Sequence, residues 1–468
     1  MRAPKPPARP DRVSLPHYLR LFRADILSAQ PARLYRAWMA EFRAPLLRSC
    51  LCNDPDLVDL VLNRRPQDFP KSARLREGLA PLLGRSVFVT NGAEWARQRR
   101  LIDPAFERGR LREAFPAMLD AARAARGRLA ARAGEWVEIE QEASHVAADI
   151  IFRTLFSIPI EHHVASRVFH EFRAYQRAQP LLNLAALLPL PRFLPRLHPR
   201  RVRRAARAIR SLIGELVAER AAALAAGTAP PDLASRIMTA TDPETGHRFG
   251  PAEMVDQVAI FFLAGHETSA SALAWALYLL AATPERQARV AAEGRAFAAA
   301  PSFANLARLG FTRDVFREAL RLYPPVPMMV RETTRRERFR GRDIGRGTQI
   351  VLSPWHLHRH ERLWDDPDDF RPERWQEAAA RRTARSAYLP FSSGPRVCPG
   401  AGFAMIEGPL VLATLLADLR FSADSGAEPV PVAHLTVRAR DGIRLRICHR
   451  DATSPIQPAD ETKPLRNQ

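Results

Sequence analysis

Apolar positions along this chain recur mostly three and four residues apart, the period of helices packed on one side. Residues 17–63 carry that spacing, broken by Asn53 and Pro55. DPDLVDLVL then opens with an aspartate N-cap and continues as a short helix. Residues 65–72 (RPQDFPKS), 228–232 and 241–250 read as loops. The stretch 74–90 mixes glycine, proline and apolar residues, which predicts a pliable segment over a pocket. From 111 to 226 the pattern is alanine- and arginine-rich helix, punctuated by prolines at 159, 180 and 189–199. The longest apolar helix is predicted over 251–282, opened by Pro251 and Glu253. Two more run from 311 to the PPVP that ends the first, and from 401 to 419. Strand-like alternation is short. RGTQIVLSPWHLHRH mixes turn, strand and helix character, and HLTVRARDGIRLRI alternates around Asp441-Gly442, a hairpin signal.

Four features of this pattern carry chemistry. Gly265-His266-Glu267-Thr268-Ser269 sits inside the longest apolar helix, where glycine, an acid and hydroxyls cost propensity and polar burial. Such conflict is expected at a functional site, or at a glycine helix contact whose polar groups are satisfied. Trp95 and Arg99 are four apart and share a helix face. They are either a core aromatic beside a surface arginine, or an indole N–H and a guanidinium fork offered to a carboxylate. Arg97 and Arg100 point elsewhere on that helix, as candidates for an acidic partner's footprint. Glu318 and Arg321 are three apart, with Arg374 further on in PERW. Finally, FSSGPRVCPG (391–400) places Cys398 in a glycine- and proline-rich loop directly before a helix. A helix N-terminus favours thiolate, as an axial ligand to haem iron requires; the plain alternative is a small buried hydrophobe.

Composition narrows the class. A length of 468 residues could hold about three domains, although large single cores break that rule. With 46% apolar and 26% charged residues the balance is globular, and no run approaches the ~18 consecutive apolar residues of a membrane helix. LLNLAALLPLPRFLPRL (181–197) is too interrupted to span; it is a lid, a surface patch resting on a membrane, or core. The basic, proline-rich start (1–16) is not a signal peptide and reads as a loosely attached arm, and residues after about 450 as a disordered tail. Cys50, Cys52, Cys398 and Cys448 form no disulfide framework or zinc spacing, so a reducing cytoplasmic location is expected. The net charge of +21 is almost all arginine, since only Lys5, Lys71 and Lys463 are lysines. No nucleic-acid motif accompanies it, which leaves an acidic protein partner or a solvated basic surface.

The motif F-x-x-G-x-R-x-C-x-G resembles the haem-binding loop of cytochromes P450. Trp95-x-x-x-Arg99 resembles the propionate-binding helix of that family, AGHETS its oxygen-side helix segment, and Glu318-x-x-Arg321 with Arg374 its buried network. Arg331 matches a further propionate arginine, and His358, before the Trp364–Pro367 turn, a structural histidine. All occur in family order, and the chain is identified as a member over roughly residues 15–450. The resemblance implies a mainly α fold: a single haem-sandwiching domain (17–450) with a small β region. It implies haem b ligated by Cys398, propionates held by Trp95, Arg99, Arg331 and Arg396, and a cofactor loop completed by Phe391 and Gly400. In the family Gly265 opens a groove for dioxygen, and Glu267 and Thr268 are the proton-delivery pair. Glu318, Arg321 and Arg374 lock the cysteine loop. The implied activity is insertion of one oxygen atom of O2 into a hydrophobic small molecule. Electrons come from a separate acidic ferredoxin or flavodoxin with its NAD(P)H reductase, and the chain is expected to be a monomer. A peroxygenase, isomerase or lyase of the same fold, or a haem sensor, are the rivals. Pocket candidates are residues 74–90, Phe262, Leu263, Ala264 and 326–330 including Met328 and Met329; their apolar character suggests a fatty acid or terpenoid.

Overall fold

The computed structural model describes residues 1–44, 47–178, 198–424, 426, 428–433 and 435–450. The stretch 181–197 and the tail 451–468 therefore lie outside the described residues. Among the described residues, ten helices of eleven or more residues carry the fold. They are α1 (Ala73–Leu83), α2 (Gly92–Ile102), α3 (Arg108–Ala130), α4 (Ile139–Phe156), α5 (His163–Ala178), α6 (Arg200–Ala225), α7 (Pro251–Ala281), α8 (Pro284–Ala298), α9 (Gly310–Leu322) and α10 (Ala401–Leu416). The axis is α7. Proline in its first turn needs no amide partner, and the Gly250 N–H donates to the Glu253 carboxylate at 3.1 Å. The polar insert does not break it: α7 runs unbroken for 31 residues. It packs against α4, α6, α9 and α10, while α10 packs against α3, α8 and α9.

Eleven short strands complete the described structure: β1 (Met39–Ala44), β2 (Leu47–Cys52), β3 (Trp136–Glu138), β4 (Met329–Glu332), β5 (Glu337–Phe339), β6 (Arg342–Ile344), β7 (Gln349–Leu352), β8 (Leu419–Ala423), β9 (Pro431–Ala433), β10 (Val437–Ala439) and β11 (Arg444–His449). One sheet is ordered β1-β2-β7-β4, with β2 and β7 parallel and the other neighbours antiparallel. Another is ordered β3-β11-β8. The hairpin expected around Asp441-Gly442 does not form. A turn is there, with Gly442 at φ +77°, but β10 pairs with β9 whereas β11 pairs with β8 and β3. The Glu138 carboxylate accepts from the Ile443 N–H at 3.2 Å, so β11 is drawn to β3 and the turn becomes a corner between sheets.

One continuous apolar core runs through all ten long helices, and a second cluster containing Cys50, Cys52, Trp364 and Trp375 lies by the four-stranded sheet. The chain is a single, mainly α domain. The N-terminal arm does not trail free. Ala3 is buried, its N–H donates to Asp368 O at 2.8 Å, Tyr323 Oη donates to Pro4 O at 2.9 Å, and Arg9 Nε donates to Ala29 O at 2.6 Å. Prolines leave the arm few amides to satisfy, so backbone groups and basic side chains share the anchoring. The 74–90 segment is likewise pinned rather than pliable. Asp256 accepts from the Arg85 N–H and Gln257 from the Val87 N–H, at 2.8 and 2.9 Å.

Candidate active site

The cysteine loop is built by backbone geometry. Gly394 has φ +70°, and a Cβ there would lie 2.2 Å from Leu62 O, so only glycine fits. The Cys398 N–H donates to Phe391 O at 2.9 Å, closing the loop, and Arg99 donates to Val397 O at 2.7 Å. The Gly400 N–H points at the sulfur, and α10 starts at the next residue. Cys398 is accessible although protein surrounds it, as at the floor of a cleft. Burial pushes its thiol up, against the opposing pull of the Gly400 amide and Arg99. Burial thus opposes the thiolate that the helix start favours, and a metal ion bound there would supply the remaining stabilisation, since a ligating thiol loses its proton outright.

Beside the loop lies a cluster of cations. The Trp95 ring has Lys71 Nζ at 5.8 Å, Arg396 at 5.4 Å and Arg99 at 5.9 Å from its centroid. Lys71 and Arg331 face each other in an isolated β-bridge. Arg396 donates to Pro66 O and Phe69 O, at 2.9 and 3.0 Å, and Lys71 Nζ to Val87 O at 2.6 Å. Burial and then the charges of Arg331, Arg396 and Arg99 push Lys71 down to about 6, and burial with Arg396 lowers Arg331 to about 10. The Nε atoms of Arg99, Arg331 and Arg396 are buried without a hydrogen-bond acceptor. Arg99 Nε does lie 2.7 Å from Asp103, but out of hydrogen-bond alignment. Lys71 carried no sequence signal, because its partners are brought to it from four separate segments. Arg97 and Arg100, expected to await an acidic partner, are consumed internally: Arg97 pairs with Glu253, and Arg100 with Asp242 at 2.6 Å.

Helix α7 presents two different faces. Phe261, Ala264, Gly265 and Thr268, at helical spacing, are only half-buried in an otherwise buried stretch. Thr268 Oγ1 donates to Ala264 O at 2.5 Å. Phe262 belongs to the other face, its ring tilted against Phe172 and Phe152 at 4.4 and 4.8 Å, and Leu263 is buried in the core. Met329 packs on the second apolar cluster, while Ala264 and Met328 stay half-buried. Gly265 is a packing glycine: a Cβ there would lie 2.4 Å from Ile151 Cδ1 of α4. Glu267 also points away from Thr268, accepting from Thr436 Oγ1 at 2.8 Å and Arg438 at 3.0 Å. Ser269 donates to Glu407 of α10 at 2.7 Å, and burial pushes that carboxyl up to about 8.

Glu318, Arg321 and Arg374 meet in the core with their side chains at most 1% exposed. Glu318 accepts from Arg321 at 2.8 and 3.0 Å and from Arg374 at 2.8 Å. The guanidiniums donate onward to the carbonyls of His358, Asp365, Asp366, Pro367 and Asp369. Burial opposes the Glu318 charge, but the two arginines and the Arg371 amide hold its carboxyl below the ordinary value. Burial and Arg321 lower His358 to about 3, so its ring is neutral. Its Nδ1 donates to Arg321 O at 3.1 Å and its Nε2 accepts from the Leu389 N–H at 2.8 Å, two residues before the cysteine loop.

The donor set fits a cysteine-ligated haem: an accessible sulfur on a closed loop, and beside it buried cations with unmade hydrogen bonds that call for carboxylates. A family model described as Cytochrome P450 matches residues 47–446. The chain is 33% identical over 430 residues to the cyclooctat-9-en-7-ol 5-monooxygenase of Streptomyces melanosporofaciens, covering 89% of this chain and 88% of that protein. It is 31% identical over 407 residues to the pentalenene oxygenase of Streptomyces avermitilis, covering 85% and 87%. The solved heme domain of cytochrome P450DA superposes with a TM-score of 0.80 at 27% identity, covering 96% of this chain and 98% of that one.

Proposed function

Because the chain belongs to the cytochrome P450 family, and is a haem-thiolate monooxygenase, we propose that it oxygenates a terpenoid at a C–H bond or alkene, with Cys398 as the iron ligand. The observation that carries the ligand is the accessible Cys398 sulfur, held by the Phe391 and Gly400 backbone beside four cations. The substrate class is supported by the printed activities of the Streptomyces relatives, with a fatty acid as the second reading because another relative, 29% identical, is the human cytochrome P450 4A11. When bound, haem supplies the chemistry of activating dioxygen and transferring one oxygen atom.

The chain's own residues hold and serve that group. Trp95, Arg99, Arg331 and Arg396, with Lys71, hold its carboxylates; the unmade hydrogen bonds of the arginines support this. Phe391 and Gly400 fix the sulfur. Thr268, on the half-buried face of α7, holds a proton at Oγ1 for the oxygen side, and Glu267 resupplies it from the opposite face. Glu318, Arg321 and Arg374 act structurally, through His358, on the approach to the cysteine loop. A monomer fed by an acidic ferredoxin or flavodoxin suits the net charge of +21. The footprint must use cations other than Arg97 and Arg100.

A spectral-shift screen of the haem-loaded protein with geraniol and lauric acid tests the substrate class; a shift with neither sinks both readings. A Cys398→Ser protein that kept the thiolate-type band with carbon monoxide would remove the ligand assignment. Strong salt dependence of the reduction rate supports the acidic partner, and salt-independent reduction argues for an uncharged contact.

A further inference from the structure

Besides its place in the cation cluster, Lys71 ties together two parts of the pocket wall. Its Nζ donates to Val87 O at 2.6 Å, the one acceptor its side chain has among the described residues. An ammonium has three donors, and the charged groups that face it are Arg331, Arg396 and Arg99, none of them an acceptor. Burial and those three cations push it down to about 6, so with no anion beside it the amine is neutral at pH 7. The lysine backbone is fixed independently: its N–H donates to Asn91 Oδ1 at 3.0 Å, and its O accepts from Asn91 Nδ2 at 3.1 Å. Those two bonds close residues 71–91 into a loop at its base, with α1 as one limb and 84–90 as the other. Lys71 Nζ reaches across to the second limb. On its far side that limb is tied to α7, where the fully buried Gln257 accepts from the Val87 N–H at 2.9 Å. Val87 is therefore held by its N–H from the helix and by its C=O from the cation cluster. Val87 and Val89 are buried, at 8% and 1%, while Phe88 between them is 37% exposed. It is one of four large hydrophobics left so exposed among the described residues, and another, Val397, adjoins Cys398.

We propose that Lys71 is a positioning residue that ties the anion held by the cation cluster to the seating of residues 84–90, and through them to the Phe88 ring that meets substrate. The proposal rests on the reading of Lys71 as a holder of the cofactor's carboxylates and deepens it by assigning what that contact does to the pocket. A carboxylate beside Nζ makes the charged form the stable one. The ammonium keeps a donor for Val87 O, and a hydrogen bond from a charged donor is roughly twice as strong as a neutral one. Val87 is then clamped between Lys71 and Gln257, and Phe88 is presented in one place. Without the carboxylate, the Val87 carbonyl is held by a neutral amine crowded by cations, and only the Gln257 bond keeps its strength. Sites coupled in this way act on each other equally, so a seated segment also holds Nζ ready for the carboxylate. The three arginines do not share this role, because their bonds go elsewhere. Arg396 donates to Pro66 O and Phe69 O, Arg331 to Val330 O, and Arg99 to Val397 O.

Haem dimethyl ester is the probe, because it brings the same ring and iron with the carboxylates masked. Amide hydrogen exchange across residues 84–90 is the readout, and it needs no turnover. In the parent, the ester-loaded full chain is expected to exchange there about tenfold faster than the haem-loaded one, inside the range typical of coupled sites. In Lys71→Met the two loadings are expected to exchange alike. A purely structural lysine would shift both loadings by one factor and leave their ratio at the parent value. Arg331→Ala, which leaves Val87 untouched, is expected to lose haem faster yet keep most of the parent ratio. Lys71→Leu repeats the test if the methionine variant does not load, as judged by its carbon monoxide band. The pocket is read by spectral titration of the haem-loaded chain with whichever of geraniol and lauric acid binds more tightly. Lys71→Met is expected to weaken that ligand about tenfold in the parent background and to change nothing in Phe88→Ala, as for two residues that act as a unit. Equal weakening in both backgrounds overturns the link to Phe88. Equal exchange of the two loadings in the parent, or an unchanged ratio in Lys71→Met, overturns the coupling. If that unchanged ratio comes with faster haem loss, Lys71 still holds a carboxylate. If Lys71→Met retains haem like the parent, that reading fails and the coupling with it.

Discussion

Two buried arginine clusters in this molecule solve the same electrostatic problem differently. Arg321 and Arg374 give every guanidinium nitrogen to Glu318 or to a carbonyl of residues 358–369. Arg99, Arg331 and Arg396 leave their Nε atoms without an acceptor, crowd one another and Lys71, and face no buried acid. Taking charge out of water is tolerated only where the group is paired. The first cluster is complete as folded protein, so its work is structural. The second leaves hydrogen bonds that an outside anion would complete, which suits the binding role proposed for it. Burial alone would not have told them apart; the pattern of unmade hydrogen bonds does.

The contrast can be broken, beginning with the largest effect. Arg321→Ala leaves Glu318 buried and half-paired, and is expected to cost roughly 3–5 kcal/mol. Thermal melting should show this with or without haem. In the second cluster, Arg331→Ala should leave the melting temperature of the cofactor-free protein nearly unchanged. Haem retention, followed by transfer to a scavenging protein, should weaken about 10- to 100-fold, the scale of one charge-assisted hydrogen bond. A loss of cofactor-free stability as large as that of Arg321→Ala would erase the distinction.

Lys71 sharpens it through pH. Its folded value near 6 lies below the ordinary 10.5, so the unfolded chain binds more protons between those limits. Cofactor-free stability therefore rises with pH across that window. Lys71→Met should melt higher than the parent at about pH 6, where the parent lysine carries nearly its full burial penalty. The gain should vanish as pH approaches 10.5, and with haem bound it should reverse to a loss of retention. The smallest effect is expected at Glu407, whose carboxyl is raised from 4.5 to about 8. The folded state then binds the extra proton, and stability falls as pH rises between those values. Glu407→Gln should match the parent below pH 4.5 and melt modestly higher near pH 8, as read by scanning calorimetry.

What could be read in the chain depended on how far apart the partners lie. Glu318 with Arg321, Trp95 with Arg99, and the spacing from Phe391 to Gly400 are local, and helix or loop geometry brings such residues together wherever the element forms. The long helix was equally legible, because thirty-one mostly apolar residues and a capped start suit little else. Which side of that helix met which neighbour was not. Phe262, Leu263 and Glu267 sit on faces whose surroundings are set by α4, α5 and β10, so residues adjacent in sequence to Ala264 and Thr268 ended in the core or against β10. The hairpin at Asp441-Gly442 failed for the same reason: turn chemistry was right, but Glu138 and β8 offered β11 better partners. Arg97 and Arg100 met acids more than a hundred residues away. The sequence by itself determined the long helices, the family and the residues that chemistry needs close together along the chain, but not the strands: β1 and β2 lie inside a stretch read with helical spacing. Only the tertiary structure decided which buried charges are satisfied, because a hydrogen-bond partner can come from any segment that the fold brings near.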